Sequence, residues 1–535
     1  MRAIQRILML VGATLVSGVA AATVLSGVVQ DPTGHPAANV FVTAHDAGRK
    51  MSMSVLTDAT GHYRIADLFP AAYTVYARKA GFNDSPTTEL TLGMADAQAN
   101  LRLEPDDVVH INALGASWLN PLPDEPMKAT FIASCTICHD AASPIAHMPR
   151  DAKSWEHVIN QMRSQADTYS VIVKMEPSQL AGWLEKNAYG TKFQPVDPFA
   201  KTANVVSDVH YTEYQMGDSS SWAHDLAVDP KSGRVYVGDY VRDELVQIDP
   251  RTGEQKVFPA PVKMTGMHTL NFDRDDGSLW ITFQLVAMVA NFDPVHGTWR
   301  LYPGFTPGSL NHSFAIDPDG FVKKDPQGRL YLGLWGGNRT GLLDPKTGKV
   351  TEKQLPGPGS DKPYGIAVDT KGTVWYTKYS ENKIGYYNAS RDEAKEWTLP
   401  RPDSAPHRMH IDSSDRLWIP LSGYGTILRY DTRTGEQKEF PLPDKDTYPY
   451  ALRYDSKSNR IWITGNGGNA IYAMNPETGA VQTFRMPSRY AYGRMVTMDY
   501  STGDVWTALA SYPNKLSLRD HSIIVRIHNA LEHVK

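Results

Sequence analysis

Seven times between residues 224 and 499 the chain runs a short apolar strand into an aspartate, and this repeat limits the possible folds more than any other feature. The residues are Asp229, Asp273, Asp317, Asp369, Asp412, Asp455 and Asp499, spaced 44, 44, 52, 43, 43 and 44 apart. After each come a turn, a strand with an aromatic residue, a third strand, a turn with Gly and a strand closing on Pro. Residues 364–369, 374–377, 383–388 and 396–400 make one such unit. Four short strands in this length is a propeller blade, and seven blades close a ring. The spacing of 52 places an insertion in blade three, around 321–327. The last unit stops after its third strand, at 523–527, while 209–214 carries the fourth-strand pattern ahead of the first unit. That segment is expected to complete blade seven and remove the free edges. The aspartates are expected to bond their own backbone as turn formers.

Five residues before each Asp lies a second column: His224, His268, His312, Tyr364, His407, Tyr450 and Arg494. First strands line the central channel of a propeller, so one register per blade brings these seven side chains around one mouth. A polar channel filled by water and hydrogen bonds is one reading. The other is an active or metal site. Neutral imidazoles at His224, His268, His312 and His407 suit iron, copper, zinc or nickel, and without metal a His–Tyr pair does general acid–base work.

A different chemistry is written upstream, at Cys135-Thr136-Ile137-Cys138-His139. These are the only two cysteines in 535 residues. Two thiols one helical turn apart can add to the vinyl groups of a haem while the next residue offers an imidazole to iron. A half zinc site would need a second ligand pair, and no further Cys exists to supply it. A thioredoxin-type pair would want a βαβ setting, and a disulfide across two residues would be short and strained. The spacing therefore predicts one covalent haem c, held through Cys135 and Cys138 with His139 on the iron. Helical periodicity surrounds the motif, at 127–133, from Ser154 and from Glu176-Pro177. Three helices around one such motif resemble a small class I cytochrome c domain, over 126–190. That resemblance implies Met175, just ahead of the last helix, as the second iron ligand. Met162, Met148, His157 and His147 are the alternatives, and Met162 also reads as core filler by its spacing from Trp155 and Val158.

Residues 1–22 read as a signal peptide. Arg2 and Arg6 precede an apolar run from Ile7 to Ala21, too short to span a bilayer, with Ala20-Ala21-Ala22 as cleavage site. Covalent haem attachment belongs outside the cytoplasm, so a bacterial periplasmic location is expected. From 23 to 103 short runs alternate with period two between turns such as Asp31-Pro32-Thr33-Gly34 and Thr60-Gly61, which predicts a small antiparallel sandwich. The order Ser26-Gly27-Val28-Val29, Thr57-Asp58, Gly61, Tyr63, then Gly81-Phe82 resembles the carboxypeptidase regulatory-like domain. That family implies a transthyretin-like sandwich used as spacer or binding module, and His45 and Asp46 read as surface groups. Pro-rich stretches at 104–125 and 191–205 read as linkers, and 206–535 as the propeller. The expected class is thus mainly β: a sandwich, a small α-helical haem domain and a seven-bladed propeller.

The repeats resemble the virginiamycin B (streptogramin) lyase family through Pro363-Tyr364-Gly365-Ile366-Ala367-Val368-Asp369, Val374-Trp375-Tyr376-Thr377, Asn382-Lys383-Ile384-Gly385 and Glu439-Phe440-Pro441-Leu442-Pro443. The resemblance implies channel histidines in this column and a magnesium held partly by Glu after the aromatic strand. The residues at that Glu position are Asp239, Phe283, Leu334, Lys378, Leu421, Gly465 and Ala508, so only one is acidic and the magnesium site does not follow. A lyase has no use for electrons, whereas this chain joins a haem motif to its propeller. The expected activity is oxidation of a small-molecule substrate at the channel mouth by an exported haem c oxidoreductase. Tyr364, Tyr450 and Arg494 would orient a polar or anionic substrate, and electrons would pass to haem c and then to a soluble or membrane-bound partner. The alternatives are a C–O lyase with an accessory cytochrome domain and a non-catalytic electron-transfer or binding protein. Net charge is −4 with no basic block, which argues against nucleic acid as a partner.

Overall fold

The computed structural model describes residues 23–106, 110–136, 140–166, 176–193, 204–509 and 518–534. The predicted signal segment and Cys138, His139 and Met175 lie outside the described residues. From Ala223 onward the strands form six four-stranded antiparallel sheets in sequence order, and a seventh is completed from elsewhere. Blade one comprises Ala223–Val228, Val235–Asp239, Glu244–Ile248 and Gln255–Pro259. Its first two strands are buried at every residue while the fourth is largely exposed. Inner strands are covered on both faces by neighbouring blades, so near-continuous apolar runs replace alternation there.

The repeated aspartates do what their spacing predicts. Backbone N–H groups two residues on donate to Asp229, Asp273, Asp317, Asp369, Asp412, Asp455 and Asp499 at 2.8–3.1 Å. In three blades the second-strand tryptophan adds its indole N–H: Trp280 to Asp273, Trp375 to Asp369 and Trp418 to Asp412, at 3.0, 3.1 and 2.9 Å. The same carboxylate therefore fixes the turn and the packing of the next strand. The insertion in blade three folds back on its own blade through isolated bridges Ile316–Val322 and Lys324–Leu330.

Blade seven holds Gly493–Asp499, Asp504–Leu509 and Ser522–Ile527, and its fourth strand is Tyr211–Met216, antiparallel to Ser522–Ile527. The sheet does not end there. Met51–Leu56 of the N-terminal unit pairs with the outer side of Tyr211–Met216, opposing Ser54 to Tyr211 and Met51 to Tyr214. Phe41–Asp46, Ala71–Arg78 and Thr88–Leu92 follow, giving one eight-stranded sheet shared by both units. Both edges of the closing strand are thus paired, so neither offers a template for another chain. A second sheet, with His62–Leu68 beside Thr23–Gln30, covers the N-terminal core of Leu25, Val29, Val42, Tyr63 and Val75. Asp46, read as a surface group, is buried and paired with Arg49 at 2.8 Å, because its strand lies inside the extended sheet.

Four helices lie between these units: α1 (Gly115–Leu119), α2 (Pro126–Cys135), α3 (Ala152–Ala166) and α4 (Pro177–Lys186). Proline opens α2 and α4, where its missing N–H is not needed. The stretch 104–125 is more than a linker: every residue of α1 is buried, and Glu104–Pro105 pairs with Phe82–Asn83. Leu114 packs into a propeller core with Trp418 and Leu452, and Trp118, Leu119 and Leu122 join the core of the other helices. On α3, Trp155 and Ile159 are buried, whereas Met162, two turns past Trp155 on the same side of the helix, is exposed and fills no core.

The helices do not hang free. Their core is continuous with propeller aromatics, including Tyr364, Tyr379, Tyr448, Tyr450, Tyr490 and Tyr492. The amide of Ala116 donates to the carbonyl of Gly467 at 2.9 Å, and Lys128 on α2 reaches Asp446 at 2.7 Å in a buried ion pair. Beside that pair, burial followed by repulsion from Asp446 raises the Asp444 carboxyl to about 6. Folding therefore retains a proton that the unfolded chain releases near its ordinary value of 3.8, and this contribution is lost as pH rises through about 6. Asp444→Asn is expected to remove a stability loss of up to about 3 kcal/mol between about pH 4 and 7. Urea unfolding across that range checks it; an unchanged pH slope in the variant would refute it.

Candidate functional site at the channel mouth

The seven column residues come together. All are 1–4% exposed, at the inner ends of their blades. Ring centroids are 4.0 Å apart for His224–His268 and for His268–His312, 4.5 Å for His312–Tyr364 and Tyr364–His407, and 4.1 Å for His407–Tyr450. Tyr364 and Tyr450 share a hydroxyl–hydroxyl hydrogen bond of 2.6 Å, and Arg494 donates to the Tyr450 hydroxyl at 2.9 Å. Arg494 also lies over Trp222, which packs on His224, so the ring closes on itself.

Two further residues stand in the channel that alternation along the strands did not reveal. Arg408 contacts both carboxylate oxygens of Asp225, at 2.9 and 2.8 Å, and its other terminal nitrogen sits 3.3 Å from the His268 ring. Asp225 also accepts from His224 at 3.0 Å. Both directly follow a column residue and by period-two reasoning should face away. In blade one the ladder has a bulge between Ala223 and Leu226, and equivalent shifts occur at the column in blades two, three, four, six and seven. A bulge re-aims consecutive side chains to one side. In blade five, Pro406 and Arg408 make only isolated bridges. The available signal was the acid–base pair of identities one step past the column.

Burial sets the chemistry of the ring. It lowers His224 to about 4 and holds His268, His312 and His407 well below the usual imidazole range, helped by the neighbouring guanidiniums and, for His268 and His312, by neighbouring imidazoles. Burial also keeps the Tyr364 phenol protonated, reinforced by Tyr450. Burial works against the Arg408 charge too, but Asp225 outweighs it. The result is four neutral imidazoles beside fixed positive charge. The Nδ1 atoms of His224 and His268 lie 3.2 and 2.9 Å from the carbonyls of His268 and His312, whereas Nδ1 of His407 and Nε of Arg408 are buried without a partner. Among the described residues, no group of three or more His, Cys, Asp or Glu side chains is arranged to hold a metal ion.

Close approach of the strands is part of the design. A Cβ on Gly365, next to Tyr364, would sit 2.7 Å from the Met409 amide nitrogen and 2.8 Å from the His407 carbonyl. Gly365→Ala is therefore expected to push blades four and five apart at the channel, costing about 1–3 kcal/mol. Urea unfolding measures this; a neutral result would mean the blades have slack there.

The helical unit closes the mouth. Tyr379, which follows the second strand of blade four, packs 4.6 Å from His407 and 5.8 Å from Tyr364, and its hydroxyl donates to the carbonyl of Ala133 on α2. Two residues on, the Cys135 thiol is half-buried against the same core. On the other flank the amide of Ala141 donates to the Tyr448 hydroxyl at 3.3 Å. The alternative iron ligands are dispersed. His147 stacks on Trp118 at 3.6 Å with burial lowering it to about 4, while His157, Met148 and Met162 are exposed. Within the helical unit the buried polar atoms Trp118 Nε1, Trp155 Nε1, Ser134 Oγ and Tyr189 OH have no partner among the described residues. Among the seven aromatic-strand positions named above, the one acid, Asp239, is buried and used by the amides of Trp222, Val241 and Arg242. Lys378 is paired with Asp361 and Glu396.

Two family models match the chain. Residues 348–515 match the virginiamycin B lyase family, and residues 24–104 match the carboxypeptidase regulatory-like domain. Each covers less than half of the protein. Virginiamycin B lyase from Staphylococcus aureus is 19% identical, with 59% of this chain aligned to 98% of that one at a TM-score of 0.49. A streptogramin B lyase structure gives 20%, 59%, 98% and 0.48. Kuenenia stuttgartiensis hydrazine synthase gives 11%, 58%, 96% and 0.43. Comparison with curated proteins returned no match.

Proposed function

We propose that this protein is a periplasmic haem c oxidoreductase that binds a small-molecule substrate in the propeller channel. One observation carries the reading: α2, which ends on Cys135, is tied through Tyr379 to the same His407 and Tyr364 that form the channel ring. The residues fit a covalently held porphyrin. A half-buried thiol stands at the helix end, and the same helical unit holds buried indole N–H and hydroxyl groups with no partner among the described residues, which would serve as donors for its propionates. Cys135 and Cys138 would hold the group, with His139 and Met175 on the iron. Bound there, it would supply a one-electron acceptor.

The chain's own residues then divide the work. Arg494 and Arg408 attract and orient a polar or anionic substrate, with the Tyr364 and Tyr450 hydroxyls donating or accepting. His268 and His407, neutral at physiological pH, take the proton that leaves as the substrate is oxidised. Tyr379 and Tyr448 separate the channel from bulk water and lie between it and the helical unit. A metal ion held by some of His224, His268, His312 and His407 is the alternative to metal-free proton transfer, and metal analysis of the purified protein decides between them. Electrons leave to a soluble or membrane-bound carrier.

The test is spectroscopic. Purified protein should carry one thioether-linked haem by the pyridine haemochrome assay, and anaerobic screening of small polar substrates should produce the reduced-haem spectrum. Absence of covalent haem would end the proposal. A second reading, a C–O lyase with an accessory cytochrome unit, is favoured by the match at 348–515. Ester or lactone opening with no change in haem redox state would select it.

A further inference from the structure

Away from the channel, a small cleft open to solvent lies where the N-terminal unit, the segment before α1 and the last two blades meet. Its lining includes Arg78 and Lys79 from the first, Asn112 from the second, and Arg485, Ser488 and Arg489 from the propeller. Four of these side chains are cationic, and no carboxylate is among the lining residues. We propose that this cleft is a binding site for a small oxyanion of the phosphate class, which would tie the three units together.

The local ion pairing supports this. Arg78 and Arg489 share one carboxylate: Arg78 donates to Asp84 at 3.0 and 2.9 Å, and Arg489 also donates to Asp84. Arg489 spends a further donor on Asn112 Oδ1 at 2.6 Å, which fixes the plane of its guanidinium. The other nearby acid, Glu213, is buried and hydrogen-bonded to Ser488 of the lining, and burial raises its pKa, which weakens it as a counter-charge. Burial and the charge of Arg78 push Arg489 below its ordinary value. Two guanidiniums sharing one carboxylate at a cleft wall, with Lys79 and Arg485 beside them donating to the neutral carbonyls of Ala38 and Asn39, leave a net positive charge that a multidentate anion would neutralise. The contributing residues are divided between the N-terminal unit, the segment before α1 and the propeller, so neither the N-terminal unit nor the propeller has the site alone.

Titration of the full-length haem-loaded protein with sodium phosphate, at ionic strength held constant by sodium chloride, tests the assignment by calorimetry and thermal unfolding. Saturable binding and a midpoint that rises with phosphate but not with chloride are expected. Arg489→Gln and, separately, Lys79→Gln should each weaken binding by about tenfold. Malonate as a parallel titrant distinguishes phosphate from dicarboxylate as the preferred oxyanion, tighter malonate binding reassigning the ligand within the same class. Lys79 is half-exposed, so its variant stays interpretable if Arg489→Gln perturbs folding, as circular dichroism will report. Non-saturable heats, or unchanged affinity in Lys79→Gln, overturn the proposal.

Discussion

Asp225→Ala should destabilise the protein by about 3–5 kcal/mol, because it leaves the Arg408 guanidinium buried in the channel without its carboxylate. Both partners are enclosed: Asp225 is 0% exposed and Arg408 is 8% exposed, with two contacts under 3 Å between them. The cost arises from desolvating an unpaired charge rather than from losing one hydrogen bond. It follows that Asp225→Leu combined with Arg408→Met should recover most of the loss, since two apolar groups of similar volume require no compensation. Urea denaturation of the two single variants and the double variant measures the coupling. A single-variant cost under about 1 kcal/mol would mean water reaches the pair and screens it.

The second large effect concerns chemistry. On the function proposed above, His268→Ala should slow substrate-driven haem reduction by about 100-fold or more, with haem content unchanged, because Cys135, which would carry the haem, belongs to the helical unit and not to the channel. His268 stands in the middle of the imidazole series, 4.0 Å from both His224 and His312, and touches Arg408. Burial keeps it neutral well below the usual imidazole range. The wild-type rate is therefore expected to be flat between about pH 5 and 8 rather than to titrate near the ordinary histidine value. Stopped-flow spectroscopy at several pH values reads both. A rate unchanged by the substitution would show that the ring is scaffold rather than site.

Much of this arrangement was legible before any coordinates. A spacing near 44 with Asp at the end of each first strand specified blades, because the turn needs a short acceptor side chain at a fixed place. The column five residues earlier followed from the same register, and the seven side chains do meet. Arg408 and Asp225 were hidden by the bulges: a one-residue shift in the ladder turns to the channel a side chain that strict alternation sends away. Met162 misled for a related reason. Its spacing from Trp155 and Val158 is helical and does put it on their side of α3, yet burial along that side ends at Ile159 and leaves the next turn exposed.

The sequence by itself determined the blades and the N-terminal β unit, since strand periodicity and turn chemistry are local properties read within some forty residues. Only the tertiary structure decided how the modules meet. The edge of Met51–Leu56 joining Tyr211–Met216, and the docking of α2 on Tyr379 and Asp446, pair groups hundreds of residues apart. Such contacts depend on shape and on burial of surfaces that no local pattern encodes. That is why the channel, the half-buried thiol and the cationic cleft become neighbours only in three dimensions.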